Sequence, residues 1–262
     1  MREFVWTEWL LYFYIYCFAG WVWESCYVSV LEKKPVNRGF MKDPLLPIYG
    51  SGAVCVLLVT RPFEGNYLLM ALVGMAAATV LEYVTGAVME ALFKVRYWDY
   101  STEFLNLNGY VCLKSVLCWG VMTFLLVYLV HPAVVDLAAR IPQEVKGWMV
   151  FVITILASAD FATSFKAAID FRDVLAKVEL LRGELRELQQ RLDKLENLPK
   201  AEMKELLQKR RVLAERMQSV YYKSIGGLLK RNPGAVSRKY TEAMEEVKNS
   251  IRRHRENKGN AD

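Results

Sequence analysis

Residues 67–93 read YLLMALVGMAAATVLEYVTGAVMEALF, and the class of the chain turns on this stretch. As helix at about 1.5 Å per residue it reaches ~40 Å, more than the ~30 Å hydrocarbon core of a bilayer. Gly74, Ala78, Glu82, Gly86 and Glu90 recur every four residues. That spacing holds them on one slowly drifting helix face, where small residues permit close approach of a second helix. Working outward, further apolar runs cover Trp6 to Val30, Leu45 to Thr60, Tyr110 to Val130 and Trp148 to Phe165. Each is near the ~20 residues that a spanning helix needs. The fold class expected is all-α: a polytopic membrane bundle of five spans over residues 1–165, with a cytoplasmic antiparallel coiled-coil hairpin over 166–225. A short C-terminal helix and polar tail follow over 226–262.

Charge sets the expected orientation. Residues 166–262 hold 23 Lys and Arg against 15 Asp and Glu, a net +8, whereas residues 1–165 hold 11 against 13, a net −2. Basic residues beside spans mark the cytoplasmic side, so the tail is expected inside and, with five spans, the N-terminus outside. Lys33, Lys34, Arg38 and Lys42 after the first run agree, as does the single Arg61 in the next turn. The later loops discriminate little. The first apolar run is longer than a signal-peptide core and follows acidic residues, so cleavage is not expected.

Ionisable side chains in lipid cost several kcal/mol and normally face a helix interface or an aqueous cavity. Measured from the expected cytoplasmic ends of their spans, Glu24, Lys114 and Asp160 lie roughly 7–10 Å deep, Glu82 about 16 Å, and Glu90 near the boundary. Acids from three spans at related depths point to one polar layer open to the cytoplasm. The candidate substrate or ion site is therefore Glu24, Glu82, Lys114 and Asp160, with Arg38, Tyr49, Asp99 and Asn108 at its mouth. The carboxylates would recognise charge or couple protons or ions, and Lys114 would pair with them or attract anions. The alternative is structural: Glu24 or Glu82 pairs with Lys114 or a Trp or Tyr donor and locks the bundle.

Other chemistry has less support. Cys17, Cys26, Cys55, Cys112 and Cys118 lie in or beside apolar runs without metal-ligand spacing, which reads as packing. His131 and His254 are too separate for a histidine metal centre. No Gly-x-x-x-x-Gly-Lys-Ser/Thr string occurs, so the chain has no phosphate-cradling loop of its own. With no nucleophile–base set at suitable depth, enzymatic activity, a cofactor and a metal are not expected. The tail's charges are mixed and carry no nucleic-acid-binding motif, so nucleic acid is not an expected partner; the lipid bilayer is, and the tail's Lys and Arg residues could also touch anionic headgroups.

Phe171, Val174, Val178, Leu181, Leu185, Leu188, Leu192 and Leu195 alternate at spacings of three and four, a heptad seam. Asn197-Leu198-Pro199 then breaks the helix, and Met203, Leu206, Leu213, Met217 and Val220 carry a second pattern. A short break favours a hairpin closed on itself, with pairing to a second copy the alternative. Gly226-Gly227 and Asn232-Pro233-Gly234 read as hinges.

Several strings together resemble one family. Gly20-Trp21-x-x-Glu24, Asn37-Arg38-Gly39-Phe40, Pro47-Ile48-Tyr49-Gly50, Trp98-Asp99-Tyr100, Asn106-x-Asn108-Gly109 and Trp119-Gly120 are similar to motifs of the type IV ABC-transporter membrane proteins, the CmpB-like family. The likeness covers roughly residues 10–130, and Leu228-Leu229-Lys230-Arg231-Asn232-Pro233 is similar to tails in that family. Met41-Lys42-Asp43 departs from the pattern, where a smaller and less charged stretch is expected, so the cytoplasmic rim is expected to differ. The resemblance implies a permease-like component that takes its energy from a separate ATPase subunit. The rival reading is a non-transporting scaffold that recruits a cytoplasmic partner through its coiled coil.

Overall fold

The computed structural model describes residues 6–194, 200–222 and 226–259. The described residues are helical throughout their regular structure, without strands. In chain order the helices are α1 (Trp6–Glu32), α2 (Pro47–Thr60), α3 (Tyr67–Phe93), α4 (Leu113–Leu125), α5 (His131–Ala139), α6 (Gln143–Lys194), α7 (Lys200–Tyr222), α8 (Gly226–Arg231) and α9 (Thr241–Gly259).

Local chemistry sets several of these limits. Pro47 opens α2 at a position where its missing N–H costs nothing. Asn66 caps α3, its side chain accepting from the Leu69 amide at 3.0 Å, and α3 ends where Lys94 turns left-handed. Between α4 and α5 the helix widens to a π turn over Leu126–Val130. Pro132 follows at once; its ring would strike the carbonyl four residues back, and the widened turn absorbs that clash.

Among the described residues three segments are long and apolar enough to cross a membrane: Tyr67–Phe93, Leu113–Ala139 and Gln143–Asp193. Pro47–Phe63 is apolar but shorter. Helix α1 has the length, at 27 residues, yet its Trp and Tyr residues reduce its hydropathy. Such amphipathic rings are typical of membrane interfaces.

Helices α1, α2, α3 and α6 close a ring, each packed on the next, and α4 covers the other side of α3. The four-residue stripe on α3 is the contact face. Gly74 lies against Thr123 of α4, while Ala78, Glu82 and Gly86 are buried along the same line. One end of the ring is cored by Leu11, Tyr14, Leu57, Ala138 and Val150. Tyr14 donates to Thr154 at 2.9 Å, Tyr16 meets His131 Nδ1 at 2.8 Å and Lys146 reaches Glu8 at 3.2 Å.

The opposite end holds a second core that the sequence did not announce. Phe93, Val95, Tyr97, Phe171, Leu175 and Val178 bury themselves against Leu228, Leu229, Met244 and Val247. Helix α6 runs unbroken for 52 residues, about 78 Å at helical rise, so the limit expected at 165/166 falls inside one helix. Its proximal seam, expected to face the hairpin partner, is covered by α8 and α9. Arg182 binds Glu246 at 3.0 Å, Arg186 pairs with Glu242, and Glu179 accepts the Ala243 amide. Helix α7 meets the distal part of α6, where Arg210 donates to Gln189 at 3.1 Å. Gly227, expected to be a hinge, lies within the first turn of α8. The break at Asn197-Leu198-Pro199, the seam position Leu195 and the last three tail residues lie outside the described residues.

Candidate functional site

Two loops and the C-terminal segment meet at the second end. Loop 33–46 is fastened to α1 by serines one turn apart: Ser29 Oγ accepts the Val36 amide at 2.9 Å and Ser25 Oγ the Arg38 amide at 3.1 Å. Trp21 donates to Asn37 at 2.7 Å. Arg38 is thereby aimed back at α1 and across to the rest of the cluster. Its Nε faces Glu24 at 3.4 Å, Nη1 donates to Asn232 Oδ1 at 2.6 Å, and Nη2 donates to the Tyr97 carbonyl at 3.1 Å. The Tyr49 hydroxyl, from α2, donates to the second Glu24 oxygen at 2.9 Å. Gly20 makes this possible: a Cβ there would collide with the Tyr49 ring, so only glycine lets α2 bring that hydroxyl to Glu24.

Loop 94–112 forms the other wall around a nearly fully buried Arg96. Arg96 binds Glu90 at 2.6 Å, Asp99 at 3.2 Å and the Asn108 carbonyl at 2.8 Å, with its guanidinium 4.5 Å from the Tyr110 ring centre. Asn108 and Gly109 both take left-handed backbone, φ 54° and 74°. Asn tolerates that region, and Gly109 also leaves room for the Arg96 and Asp99 side chains. Burial works against the charged Asp99 carboxyl, but Ser101 and Arg96 outweigh it and hold the group below the usual carboxylate range.

Residues 231–238 tie the two loops together. Asn232 is 1% exposed; its Nδ2 donates to the Gly39 carbonyl at 2.9 Å while its Oδ1 accepts from Arg38. Val236 and Arg96 exchange backbone hydrogen bonds at 2.8 and 3.0 Å. Beside them Arg231 has a buried Nε without a partner among the described residues. Burial pushes its guanidinium below the usual value, against the pull of Asp160 and Tyr97.

The expected residues therefore divide. Glu24, Arg38 and Tyr49 meet directly. Glu82 accepts from Trp119 at 2.9 Å and from Tyr100 at 3.5 Å, and lies within electrostatic reach of Glu24. Asp160 receives the amides of Lys42 and Asp43 at 2.9 and 2.8 Å, so Met41-Lys42-Asp43 is pinned to α6. Asp99 and Asn108 belong to the Arg96 cluster, where Asn108 Nδ2 also donates to Tyr83 at 2.9 Å. Lys114 stands exposed in the first turn of α4 and makes no ion pair among the described residues. Its expected pairing with the acids is not formed. Arg96 and Asn232 were missed. Their signal was faint: an Arg just past a helix end with Glu six residues before it, and an Asn beside Leu228 and Leu229.

Between α1, α2, α3 and α6 lies a cavity of about 270 Å³ whose polar end is Glu24, Arg38, Tyr49 and Asn232. The family model described as "Putative ABC-transporter type IV" matches residues 11–165. The chain belongs to this family. Neither curated proteins nor solved structures contain a match. In this member of the type IV family the matched stretch ends within α6, yet the site it frames is completed by Asn232 from beyond it. The apolar helices and the family together make it a membrane protein.

Proposed function

We propose that the chain is a permease-like membrane component of a transporter, with a polar site open to the cytoplasm and a separate ATPase subunit supplying energy. The observation that carries this reading is the meeting of Glu24, Arg38 and Tyr49, from α1, its following loop and α2, at the end of a cavity inside the helix ring. A carboxylate kept beside a cavity in a membrane bundle is a functional feature by default. In this reading α1, α2, α3, the α4–α5 unit and α6 form five spans, with the N-terminus outside and α7–α9 in the cytoplasm. Glu24 and Glu82 recognise charge or couple ions, Asp160 holds the rim of loop 33–46, and Lys114 attracts anions from outside the cluster. Asp99 and Asn108 set the shape of the mouth through Arg96. The chain itself is not an enzyme.

The distal α6–α7 arm favours a second reading, a scaffold that recruits a partner or a second copy through a coiled-coil hairpin; Leu180, Leu207 and Val212 are exposed along it. Glu82→Gln separates the two. Reconstituted with the ATPase that copurifies with it, the wild-type chain should carry an ATP-dependent flux that the variant loses at unchanged melting temperature. A variant that only lowers expression and Tm, in a chain that copurifies with no ATPase, favours the scaffold.

A further inference from the structure

The cavity's lining specifies a class of occupant. Its volume, about 270 Å³, is near the lower end of the ~300–1,000 Å³ of small-ligand pockets. It takes one compact apolar body and excludes a two-chain lipid. Its wall is built from Phe40, Phe93, Tyr97, Trp98, Phe161 and Phe165, with aliphatic side chains between them. Such rings favour an apolar body by burial.

Hydrogen-bond accounting at the polar end sets the sign. Four of the five Arg38 N–H groups already donate, to Glu24, Asn232, and the Tyr97 and Arg231 carbonyls. The Tyr49 hydroxyl is committed to Glu24, and the Asn232 amide to Gly39 and Leu228. Glu24 has one bond at each oxygen, and an ionised carboxylate accepts about four. Among the residues that line the cavity the spare capacity is thus chiefly acceptor capacity, about two positions on Glu24 against one Arg38 N–H, and the Glu24 side chain is 29% exposed. Glu82 adds a second acidic group within electrostatic reach of Glu24.

The rim gives the route. Val88 and Leu92 of α3 and Phe161 of α6 line the cavity and are 49%, 42% and 46% exposed. Exposed side chains from both helices leave the cavity a lateral opening between α3 and α6 in addition to its polar end.

We propose that this cavity binds an amphiphilic amine, its protonated head on Glu24 and its apolar body among the aromatic rings. The occupant comes either from water as a hydrophobic amine or from the bilayer as a single-chain aminolipid. The inference rests on the transport reading of the same site, but its test reads binding without flux. Flux without amine binding would sink this inference and leave the permease; binding without flux would do the reverse.

The test is calorimetry on the full chain in phosphatidylcholine nanodiscs, with empty nanodiscs subtracted. Octylamine should bind at least tenfold tighter than octanol or octanoate. Glu24→Gln should erase that preference, and Met89→Trp, which fills the cavity without touching Glu24, should abolish octylamine binding. Should Glu24→Gln fail to fold, Met89→Trp carries the test alone. Equal affinity for amine and alcohol, or an amine preference that survives Met89→Trp, overturns the proposal. Lysophosphatidylethanolamine placed in the nanodisc displaces octylamine if the source is the bilayer and leaves it bound if the source is water; in either case the Glu24 dependence must hold.

Discussion

Asn232 is a small residue with a long reach. One side-chain atom serves Arg38 and another the Gly39 carbonyl, so a position far down the chain fixes a loop in the first fifth of it. Asn232→Ala orphans a buried guanidinium donor and a carbonyl at once. Each such loss costs about 1–3 kcal/mol, and the variant should lower the unfolding midpoint in detergent accordingly. Asn232→Asp keeps the acceptor for Arg38 and loses the donor to the Gly39 and Leu228 carbonyls, so it should fall between; equal stability of all three would mean that the clasp carries no energy. A second residue-scale expectation concerns acid. Burial raises the Asp99 carboxyl and its Ser101 and Arg96 partners lower it further, for a net depression. A group whose folded value is depressed stabilises above its ordinary value, near 3.9, and ceases to do so as pH falls through the folded value. Protection of the amides in residues 94–112, taken relative to the intrinsic exchange rate at each pH, should therefore be high from pH 7 down to about 4 and fall below that, while Asp99→Asn should be weakly protected throughout. Glu24, Arg38 and Tyr49 were legible in the sequence because an intramembrane acid and a loop arginine are expensive or conspicuous. Asn232 was not, since a polar residue before proline reads as an ordinary turn and nothing local says what lies opposite.

Helices follow the same division. The α3 stripe could be read directly, because a four-residue period of small residues is a property of one helix and Gly74, Ala78 and Gly86 lie where it puts them. The partner of the α6 seam could not. A heptad pattern states that a face will be covered, not by what, and both α7 and α9 offer apolar stripes. The structure gives proximal α6 to α9: Phe171, Leu175 and Val178 are buried against Met244 and Val247, with Arg182 and Arg186 holding Glu242 and Glu246 alongside. Short loops favour neighbours in sequence, but the core that Leu228 and Leu229 already anchor brings α9 to this face. Val247→Asp places an unpaired charge in that core and should free α9. The expected readout is new protease cleavage within residues 241–259, with loop 33–46 loosened through Asn232. Leu207→Asp, on the exposed side of α7, should leave that pattern unchanged. If both variants are cleaved alike, α9 is not held by the α6 seam.

At the scale of the molecule, the two ends of the ring differ in kind. One is cored by aromatic and aliphatic side chains of α1, α2, α5 and α6; the other gathers both long loops, α8, α9 and the extension of α6 around Arg38, Arg96 and Asn232. If α7–α9 are cytoplasmic, that second end is the inner one, and loops 33–46 and 94–112 must share its side because they bond to the same C-terminal segment. The positive-inside rule supplies the cytoplasmic placement of the tail, and the basic residues of loop 33–46 put that loop on the same side, in agreement with the hydrogen bonds that join them. In a background with the five native cysteines replaced, Lys34→Cys and Glu103→Cys should react with a membrane-impermeant maleimide only after the cytoplasmic side is opened. Glu64→Cys, in the turn between α2 and α3, should react on intact cells. Labelling of all three from one side would break the link between the two loops and the tail. Labelling of Lys34→Cys and Glu103→Cys from outside, with Glu64→Cys protected, would keep that link and invert the protein, so the cavity's polar end would face the exterior and its occupant would have to be an external one.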